Sequence, residues 1–444
     1  MLYDTVNREH NRSINNFYTE ACMNMQDEMK RTQDALLVEI ADRSSRFNSL
    51  EMNRRDQAIA NDKKHDIESI IYNHCVSEAV LRGLYGVKNK ESFKAKVRPA
   101  IEQGIISEPT KIPNNWLYQR DEACTLLDYL GVPKWSDKVT KTQVVNVQNQ
   151  KGGTGKSTTA VSIAAAMALN LTDRMRIALI DLDPQGSLRN FLAPNLNNKN
   201  VDILTSVDLM LGNKEVGSLY NQYYRQGITH KELVMASLQE THITNLKIIP
   251  AYPEDERFND YASSTKSENG EIPALRLFKE KIIDVIRDDF DLILIDTGPH
   301  NNPLVWSSMY AANGLLIPVT PRKLDVHSSE AFYTNLSKYI EFLPEDAEPF
   351  TWYRVLAVNR DTERGKDDEM IDQLSDDFGD RLLIDHIERS TAFELASRNY
   401  RTVLDMKPGD YNCPAVQYKK ATESVNRVAR ALRMVLRTES LKYE

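Results

Sequence analysis

The segment Gln-Lys-Gly-Gly-Thr-Gly-Lys-Ser-Thr-Thr at residues 150–159 decides the fold of this chain. It follows an apolar run at 144–147 and opens an Ala-rich stretch at 159–171 that predicts a helix. Strand, glycine loop and helix in this order are the context that a phosphate-binding loop needs. Glycines let backbone N–H groups converge on phosphate oxygens, and the helix N-terminus adds its positive dipole end. An ordinary Gly-rich turn is the alternative, and the matching flanks argue against it.

The loop residues have separate predicted tasks. We expect Lys156 to reach the β- and γ-phosphates and the Ser157 hydroxyl to complete a Mg²⁺ shell. The predicted nucleotide-binding residues are Gly152, Gly153, Thr154, Gly155, Lys156, Ser157 and Thr158. The segment therefore predicts binding of a nucleoside triphosphate.

A second lysine, Lys151, lies at the first variable position of the loop. One loop needs only one lysine for its own γ-phosphate. A second lysine on the rim is best used across a dimer interface, where it neutralises charge on the partner's nucleotide as an arginine finger does. A solvated surface charge is the alternative. The loop resembles the deviant Walker A motif of the ParA/MinD/nitrogenase-iron-protein superfamily.

Two later apolar segments end in carboxylates. The segment 177–186 carries Asp181 and Asp183 two residues apart, so in a strand both point the same way. The segment 291–299 carries Asp296 at a strand exit. The carboxyl ends of parallel strands are where ligands bind in such sheets. We therefore expect Asp296 to act on the Mg²⁺ shell as a Walker B carboxylate, although a lone Asp at a strand end is more often a helix cap.

Three runs narrow the resemblance to the ParA type. They are Asp-Pro-Gln-Gly-Ser-Leu-Arg-Asn-Phe-Leu at 183–192, Asp-Thr-Gly-Pro-His-Asn-Asn at 296–302, and the segment 315–329. Together they resemble the long plasmid-type partition ATPases with an extra N-terminal domain. The resemblance implies that Lys151 joins an ATP-sandwich dimer, that Asp183 orients the attacking water, and that Asp181 is a switch carboxylate near the metal. It also implies that Asn359 and Pro321 read adenine.

The residue composition and pattern change twice along the chain. These changes predict three domains, at 1–62, 63–138 and 139–444. Residues 13–58 contain no Gly or Pro and predict a long helix or helix pair, interpreted as a dimerisation arm or alternatively a frayed appendage. The middle part predicts a winged helix–turn–helix, with a recognition helix from about Asn89 and a wing through Pro109, Pro113 and Trp116. The third part alternates strands near 144–149, 177–182, 246–250, 291–296, 314–319, 354–359 and 382–387 with helices, which predicts an α/β fold with a doubly wound, mainly parallel sheet.

Two regions are candidate DNA surfaces. In the middle part the basic residues are Lys90, Lys94, Lys96 and Arg98. Near the C-terminus they are Arg398, Arg401, Arg427, Arg430, Arg433 and Arg437. Rows of cations suit sequence-independent phosphate contact. A solvated basic helix, arginines paired with nearby acids, and a membrane-binding amphipathic helix are the alternatives.

Composition limits the class of protein. The net charge of −8 argues against a nucleic-acid binder unless the charge is segregated along the chain. No apolar run approaches the length of a membrane span, the start lacks a secretory pattern, and four scattered cysteines suggest reduced thiols in the cytosol. No cysteine pair is placed to share an iron–sulfur cluster, which excludes an electron donor like the nitrogenase iron protein.

The resemblance implies a DNA-segregation ATPase that uses ATP, ADP and Mg²⁺. An ATP-bound homodimer would hold non-specific DNA, as discrete dimers or as a filament, and a centromere-binding ParB-type protein would accelerate its slow hydrolysis. With ADP, the N-terminal domain would bind operator DNA and repress its own operon. The expected location is the bacterial cytoplasm at the nucleoid, without membrane binding. A nucleotide-regulated repressor without a partition cycle and a MinD-like membrane-cycling ATPase are the alternatives.

Overall fold

The computed structural model describes most of the chain from residue 74 onward. Not described there are 114, 194–195, 197–201, 269, 323–335, 337–339, 341–342, 345, 348–349, 364, 406–411 and 443–444; before residue 74, only 30, 38, 39, 42, 43 and 46 are described. The chain divides into two compact units, Met1–Ser69 and Ile70–Glu444. The predicted dimerisation arm at 13–58 thus lies outside the described residues, apart from those six positions.

Residues 74–129 contain helices beside a small antiparallel sheet. Strand β1 (Val76–Ser77) leads into helices α1 (Glu78–Tyr85) and α2 (Lys90–Glu102), and the hairpin β2 (Thr110–Ile112) and β3 (Asn115–Tyr118) precedes α3 (Arg120–Tyr129). The strand order is β1-β3-β2, and both strand pairs are antiparallel.

Local sequence fixes the turn between α1 and α2. Gly86 ends α1 in the left-handed conformation with φ +80°, which glycine adopts without steric cost. The Asn89 side chain caps α2 by accepting hydrogen bonds from the backbone N–H groups of Glu91 and Ser92, at 2.8 and 3.1 Å. A helix therefore begins just after Asn89, as the sequence predicted. The apolar core under this turn includes Leu81, Phe93, Val97, Ala100, Leu126 and Leu127.

A seven-stranded sheet organises the rest of the described chain. Its further strands are β4 (Gln143–Val147), β5 (Ile177–Leu182), β6 (Gln239–Glu240), β7 (Leu246–Ile249), β8 (Leu292–Thr297), β9 (Gly314–Val319) and β10 (Trp352–Ala357). The order is β10-β9-β4-β8-β5-β7-β6, with every neighbouring pair parallel except the edge pair β6–β7. The predicted α/β fold with a mainly parallel sheet is confirmed.

Helices cover both faces of this sheet. They are α4 (Lys156–Ala168), α5 (Arg189–Leu192), α6 (Ser206–Leu211), α7 (Leu219–Arg225), α8 (His230–Ser237), α9 (Arg257–Ser264), α10 (Asp284–Ile286), α11 (Pro303–Ala311), α12 (Gly365–Phe378), α13 (Thr391–Arg398) and α14 (Ala415–Leu441). Alternate residues of a strand face opposite sides. In β5, Ile177 and Leu179 pack with α4 and α14, whereas Ala178 and Ile180 pack with α6, α8 and α11.

The segment 382–387 differs from its prediction as a strand. Leu383 and Ile387 donate backbone hydrogen bonds to Val355 and Ala357 of β10, at 2.8 and 3.0 Å, but only isolated bridges form. Ile384 between them is 94% exposed, so the apolar run that suggested a buried strand is not buried throughout. The segment flanks the sheet edge and carries residues 387–391 toward the phosphate loop.

The longest described helix, α14, is amphipathic. Val425, Val428 and Leu432 are buried, as the helical spacing predicted, and Val435 is half-buried. The helix packs mainly on α4 and α13. Within the described residues, no helix combines the length and apolarity required to cross a membrane.

Candidate nucleotide site and basic surfaces

The glycine-rich loop joins β4 to α4 in a fixed shape. Gly153 and Gly155 have φ values of +76° and +74°, and Gly155 forms the N-cap of α4. The Asn149 side chain donates to the Pro318 carbonyl at 2.8 Å and accepts from the Lys151 N–H at 3.0 Å. Side chains with a Cβ adopt this left-handed backbone only with strain, which explains the glycines. The loop thus presents its open side at the N-terminus of α4, where anions bind.

Lys156 lies inside the loop rather than in solvent. The residue is 7% exposed, and its Nζ donates to the Lys151 carbonyl at 3.3 Å. Burial lowers the pKa of Lys156, and the nearby carboxylates of Asp296 and Asp183 offset part of that effect. An ammonium held between a phosphate-shaped loop and two carboxylates is suited to exchange its backbone partner for a phosphate oxygen.

Strand register brings the predicted carboxylates together. Asp181 in β5 lies opposite Asp296 in β8, and Asp296 lies opposite Val147 at the end of β4. Both carboxylates are buried, at 1% and 0% exposed. Burial, with the neighbouring charge of Asp296, raises the pKa of Asp181 well above its usual range. The sequence predicted each strand end, and the register supplies the pairing.

Each oxygen of Asp181 accepts one backbone hydrogen bond. One oxygen accepts the N–H of Asp183 at 3.0 Å, and the other accepts the N–H of Leu188 at 3.2 Å. The Asp183 carboxylate in turn accepts the N–H of Gln185 at 3.0 Å, and it lies beside Gly298, where an added Cβ would sit 3.4 Å from it. Asp181 therefore shapes the turn that presents Asp183, a group 8% exposed at the site.

Asp296 is the carboxylate with unused acceptor capacity. Both of its oxygens are buried without a hydrogen-bond partner, while the nearby Ser157 hydroxyl and Thr297 N–H act to lower its pKa. Burial raises the pKa of Asp296 to about 7, while Ser157 and Lys156 oppose the shift.

A Mg²⁺ ion fits this donor set. Mg²⁺ in such sites takes one or two protein oxygens and completes its shell with phosphate and water. Ser157 and Asp296 would supply that pair. Among the described residues, no cluster of three or more His, Cys, Asp or Glu side chains could hold a metal ion.

A cavity of about 350 Å³ adjoins the loop. Gly153, Gly155 and Thr158 line one side, and Asn359 lines another with a left-handed φ of +58°. Pro321 is buried next to Arg322, which lines the cavity. The residues proposed for adenine contact are therefore near the predicted phosphate site.

Sequence reasoning missed one wall of this cavity. Glu388, Arg389, Ser390, Thr391, Phe393 and Glu394 form that wall. Arg389 also lies 3.4 Å from Asp361. No sequence motif identifies these residues. They line the cavity because an isolated β-bridge between Arg360 and Glu388 places this segment beside the end of β10.

The predicted basic faces are partly neutralised within the chain. On α2, Lys90, Lys94 and Arg98 lie 3.9, 3.1 and 3.7 Å from Glu78, Glu91 and Glu102, whereas Lys96 is exposed and has no ion-pair partner among the described residues. On α14, Arg427 pairs with Glu388 and Arg433 with Asp173, each at 2.6 Å. The alternative of arginines paired with nearby acids thus describes Arg427 and Arg433.

Other arginines of the C-terminal region differ in exposure. Arg430 and Arg437 are exposed and pair with no acid that the structure describes. The Arg398 side chain is 75% exposed and 3.8 Å from Glu394. Arg401 is only 5% exposed, so it does not present its charge to solvent. The exposed set is therefore Arg398, Arg430 and Arg437.

Comparisons with known proteins agree with the fold and the loop. The model of an AAA domain matches residues 142–346, which places the chain among P-loop ATPases. Plasmid partition protein A of Escherichia coli is 26% identical over 316 residues, covering 69% of this chain and 75% of that protein. The solved structure of a partition protein superposes with a TM-score of 0.61 at 19% identity, covering 86% of this chain and 97% of that one. The ATP complex of a Cyanothece McdA variant superposes at 0.50 and 16% identity, over 66% and 97% of the two chains. The chain is therefore similar to ParA-type partition ATPases in sequence and in fold.

Proposed function

We propose that this chain is an ATP-dependent DNA-segregation ATPase whose ATP-bound dimer holds DNA without sequence preference and releases it after hydrolysis. The observation that carries the proposal is Asp296, a buried carboxylate with unused oxygens beside Lys156 and the Ser157 hydroxyl. A buried carboxylate in this setting supports the binding of a nucleotide phosphate together with its metal ion.

In the proposed site the loop N–H groups and Lys156 bind the phosphates of ATP or ADP, and Asn359 with Pro321 contacts the adenine. Mg²⁺, held by Ser157 and Asp296, would neutralise charge between the β- and γ-phosphates. Asp183 orients the attacking water, because its carboxylate is fixed by the Gln185 N–H and faces the site. No side chain acts as a strong base here, so the intrinsic rate should be low and open to stimulation by a centromere-binding ParB-type partner.

Lys151 would act on the nucleotide of a second subunit. It lies half-buried at the loop, and its backbone carbonyl holds the Lys156 ammonium. Closing two such sites face to face brings each Lys151 near the partner's phosphates, as an arginine finger does. Closure also brings together the exposed Arg398, Arg430 and Arg437 of two subunits, which suits binding of duplex phosphates in the cytoplasm at the nucleoid, as dimers or filaments.

A second DNA activity is favoured by residues 74–129. Two helices joined by the turn at 86–89 and followed by the β2–β3 hairpin match the layout of a winged helix–turn–helix. We infer that this part binds operator DNA in the ADP state and represses the operon, with Lys96 among its exposed cations.

Fluorescence anisotropy with a random-sequence duplex tests the partition proposal. The protein is titrated at two salt concentrations with ATP, ADP or no nucleotide, each with Mg²⁺. Tight, salt-sensitive binding only with ATP supports the proposal. Failure to bind random DNA in every state overturns it and leaves the nucleotide-regulated repressor, which an operator duplex would then reveal.

A further inference from the structure

Arg189 lies just after the turn that presents Asp183, and it begins α5. Its Nε donates to the Gly186 carbonyl at 3.2 Å, and its guanidinium lies over the Tyr252 ring, 4.0 Å from the ring centroid. The residue is half-buried and forms no ion pair with an acid that the structure describes. Its guanidinium is therefore held by a backbone carbonyl and an aromatic face rather than by a carboxylate.

The turn at 183–186 packs closely against this side chain. A Cβ at Gly186 would lie 2.8 Å from Arg189 Nε and 2.5 Å from the Ala251 carbonyl oxygen. Gly186 also has a left-handed φ of +63°, which a residue with a Cβ adopts only with strain. The Gly186 N–H closes the turn by donating to the Asp183 carbonyl at 2.7 Å. Arg189 thus contacts the residue whose hydrogen bond closes the turn.

Tyr252 anchors the guanidinium to the next strand of the sheet. The Tyr252 hydroxyl donates to the Leu196 carbonyl at 2.7 Å, and its N–H donates to the Asp255 carboxylate at 3.0 Å. Tyr252 follows β7, which pairs with β5. A cation over an aromatic face is attracted by the ring quadrupole, so Arg189 ties the turn after β5 to the segment after β7.

We propose that Arg189 is a positioning residue for ATP hydrolysis, which holds the turn at 183–186 and thereby the Asp183 carboxylate. This inference rests on the proposed function, in which Asp183 orients the attacking water. The Asp183 carboxylate accepts the Gln185 N–H of the same turn, so a shift of the turn moves the carboxylate. Small displacements of an orienting group slow a reaction strongly.

Nucleotide binding should depend little on Arg189. Lys156, which we expect to bind the phosphates, is held by a different contact, to the Lys151 carbonyl at 3.3 Å. Loss of the Arg189 guanidinium should therefore lower kcat and leave KM for ATP nearly unchanged. A residue that merely stabilised the fold would not separate these two constants.

Steady-state ATP hydrolysis by Arg189→Met tests the proposal, since this change keeps a long side chain and removes the guanidinium. We expect kcat to fall about tenfold, while KM for ATP and the affinity for ADP stay within about threefold. Arg189→Lys keeps a cation for the ring without the planar guanidinium, so it should fold like the original protein and give an intermediate kcat. Arg381→Met is the matched control. It removes a guanidinium 5.0 Å from the Tyr353 ring in β10, and β9, β4 and β8 lie between that strand and β5.

Variants of Tyr252 test the second contact. Tyr252→Phe keeps the ring and should keep kcat, whereas Tyr252→Leu removes it and should lower kcat as Arg189→Met does. The double variant of Arg189→Met and Tyr252→Leu should be within about twofold of the slower single variant, because both changes break one contact. Fully additive losses would show that the two residues act separately and would contradict the proposal.

The failure of this inference is distinguishable from failure of the proposed function. An unchanged kcat in Arg189→Met, with hydrolysis by the original protein, would overturn this inference alone. Equal losses of kcat and ADP affinity would assign Arg189 to nucleotide binding or to the fold and would also overturn it. If the original protein bound ATP with Mg²⁺ and hydrolysed none, the proposed function would fail and this inference with it.

Discussion

At the scale of single residues, three carboxylates that share one end of the sheet have different roles because their hydrogen bonds differ. Asp181 accepts hydrogen bonds from two backbone N–H groups, Asp183 accepts one, and neither oxygen of Asp296 has a hydrogen-bond partner. A carboxylate held by backbone N–H groups shapes the chain around it, whereas a buried carboxylate without such partners is available to a ligand. This difference decides which aspartate should respond to Mg²⁺ and pH.

The pH dependence of Mg²⁺–nucleotide binding should report Asp296. Its pKa of about 7 lies far above the usual range, so below pH 7 a proton competes with the metal ion. We expect the affinity for Mg²⁺–ADP to fall about fivefold between pH 7 and pH 6, and to change little above pH 8. Isothermal titration calorimetry across this range, with Mg²⁺ and with EDTA, measures the effect.

The raised pKa of Asp296 also affects the stability of the folded protein. Binding of Mg²⁺ needs the ionised carboxylate, whereas the nucleotide-free fold is more stable with the protonated one. A raised carboxyl pKa in the folded state means that the nucleotide-free protein is most stable below the unfolded value and loses stability as pH rises toward 7. Asp296→Asn should lose both the pH dependence of Mg²⁺–ADP binding and part of this decline. A pH profile unchanged in Asp296→Asn would contradict the assignment.

At the scale of elements, pairing between strands decides what comes together. β9 begins at Gly314, directly opposite Trp352 at the start of β10. A Cβ at Gly314 would overlap carbons of the Trp352 ring and lie 2.9 Å from its Nε1. Trp352 is 2% exposed, and its Nε1 donates to Gln143 at 3.2 Å, so the ring has little freedom to move. The close approach of the two strand starts therefore requires glycine.

Gly314→Ala should destabilise the protein by about 1–3 kcal/mol through overpacking. Urea denaturation followed by circular dichroism measures the free energy of unfolding. Gly365→Ala is the matched control, because an added Cβ there meets no atom within 4 Å and the residue begins a helix. Equal stability of the two variants would show that the Trp352 ring yields without cost.

The sequence predicted those parts of the molecule that depend on local pattern. The loop at 150–159, the carboxylate-ending strands and the helix after Asn89 were predicted from spacing and composition and are present. What it missed depends on distant partners. Arg433 pairs with Asp173 and Arg427 with Glu388, and neither acid is marked by a pattern near the arginine. The segment 382–387 was predicted as a strand, but it forms only isolated bridges beside β10, and Ile384 is exposed.

The arginines of α14 fall into two groups, because Arg430 is exposed and Arg433 is ion-paired with Asp173. Arg430→Ala should weaken binding of a random duplex in the ATP state severalfold and lower the salt slope by about one, because an exposed phosphate contact is lost. Arg433→Ala should instead lower the unfolding midpoint, since it leaves the buried carboxylate of Asp173 without its partner. Anisotropy at several salt concentrations and thermal unfolding of both variants measure the two effects. An equal loss of DNA affinity without any change in stability would show that Arg433 also contacts DNA.

At the scale of the whole molecule, a net charge of −8 opposes DNA binding by an isolated chain. The exposed Arg398, Arg430 and Arg437 are few, and the basic residues of α2 are largely paired. Two subunits that present the same surface to one duplex double the phosphate contacts, and each added contact multiplies affinity. DNA binding should therefore depend on dimerisation more steeply than on any single arginine.

Two lysines of the phosphate loop allow that dependence to be tested. Lys151→Ala should keep ADP affinity within about threefold but lose ATP-driven dimerisation and DNA binding together, because its charge acts on the partner's nucleotide. Lys156→Ala should lower nucleotide affinity at least tenfold and lose all three properties, because its ammonium serves its own site. Calorimetry with ADP, sedimentation velocity with ATP and anisotropy with a random duplex measure the three properties, and Arg430→Ala, which should dimerise normally, is the control. If Lys151→Ala bound DNA while remaining a monomer, the basic surface of one subunit would be sufficient for DNA binding. Dimerisation would then not be required for it. If instead both lysine variants lost ADP affinity equally, Lys151 would act within its own loop and the trans contact would be wrong.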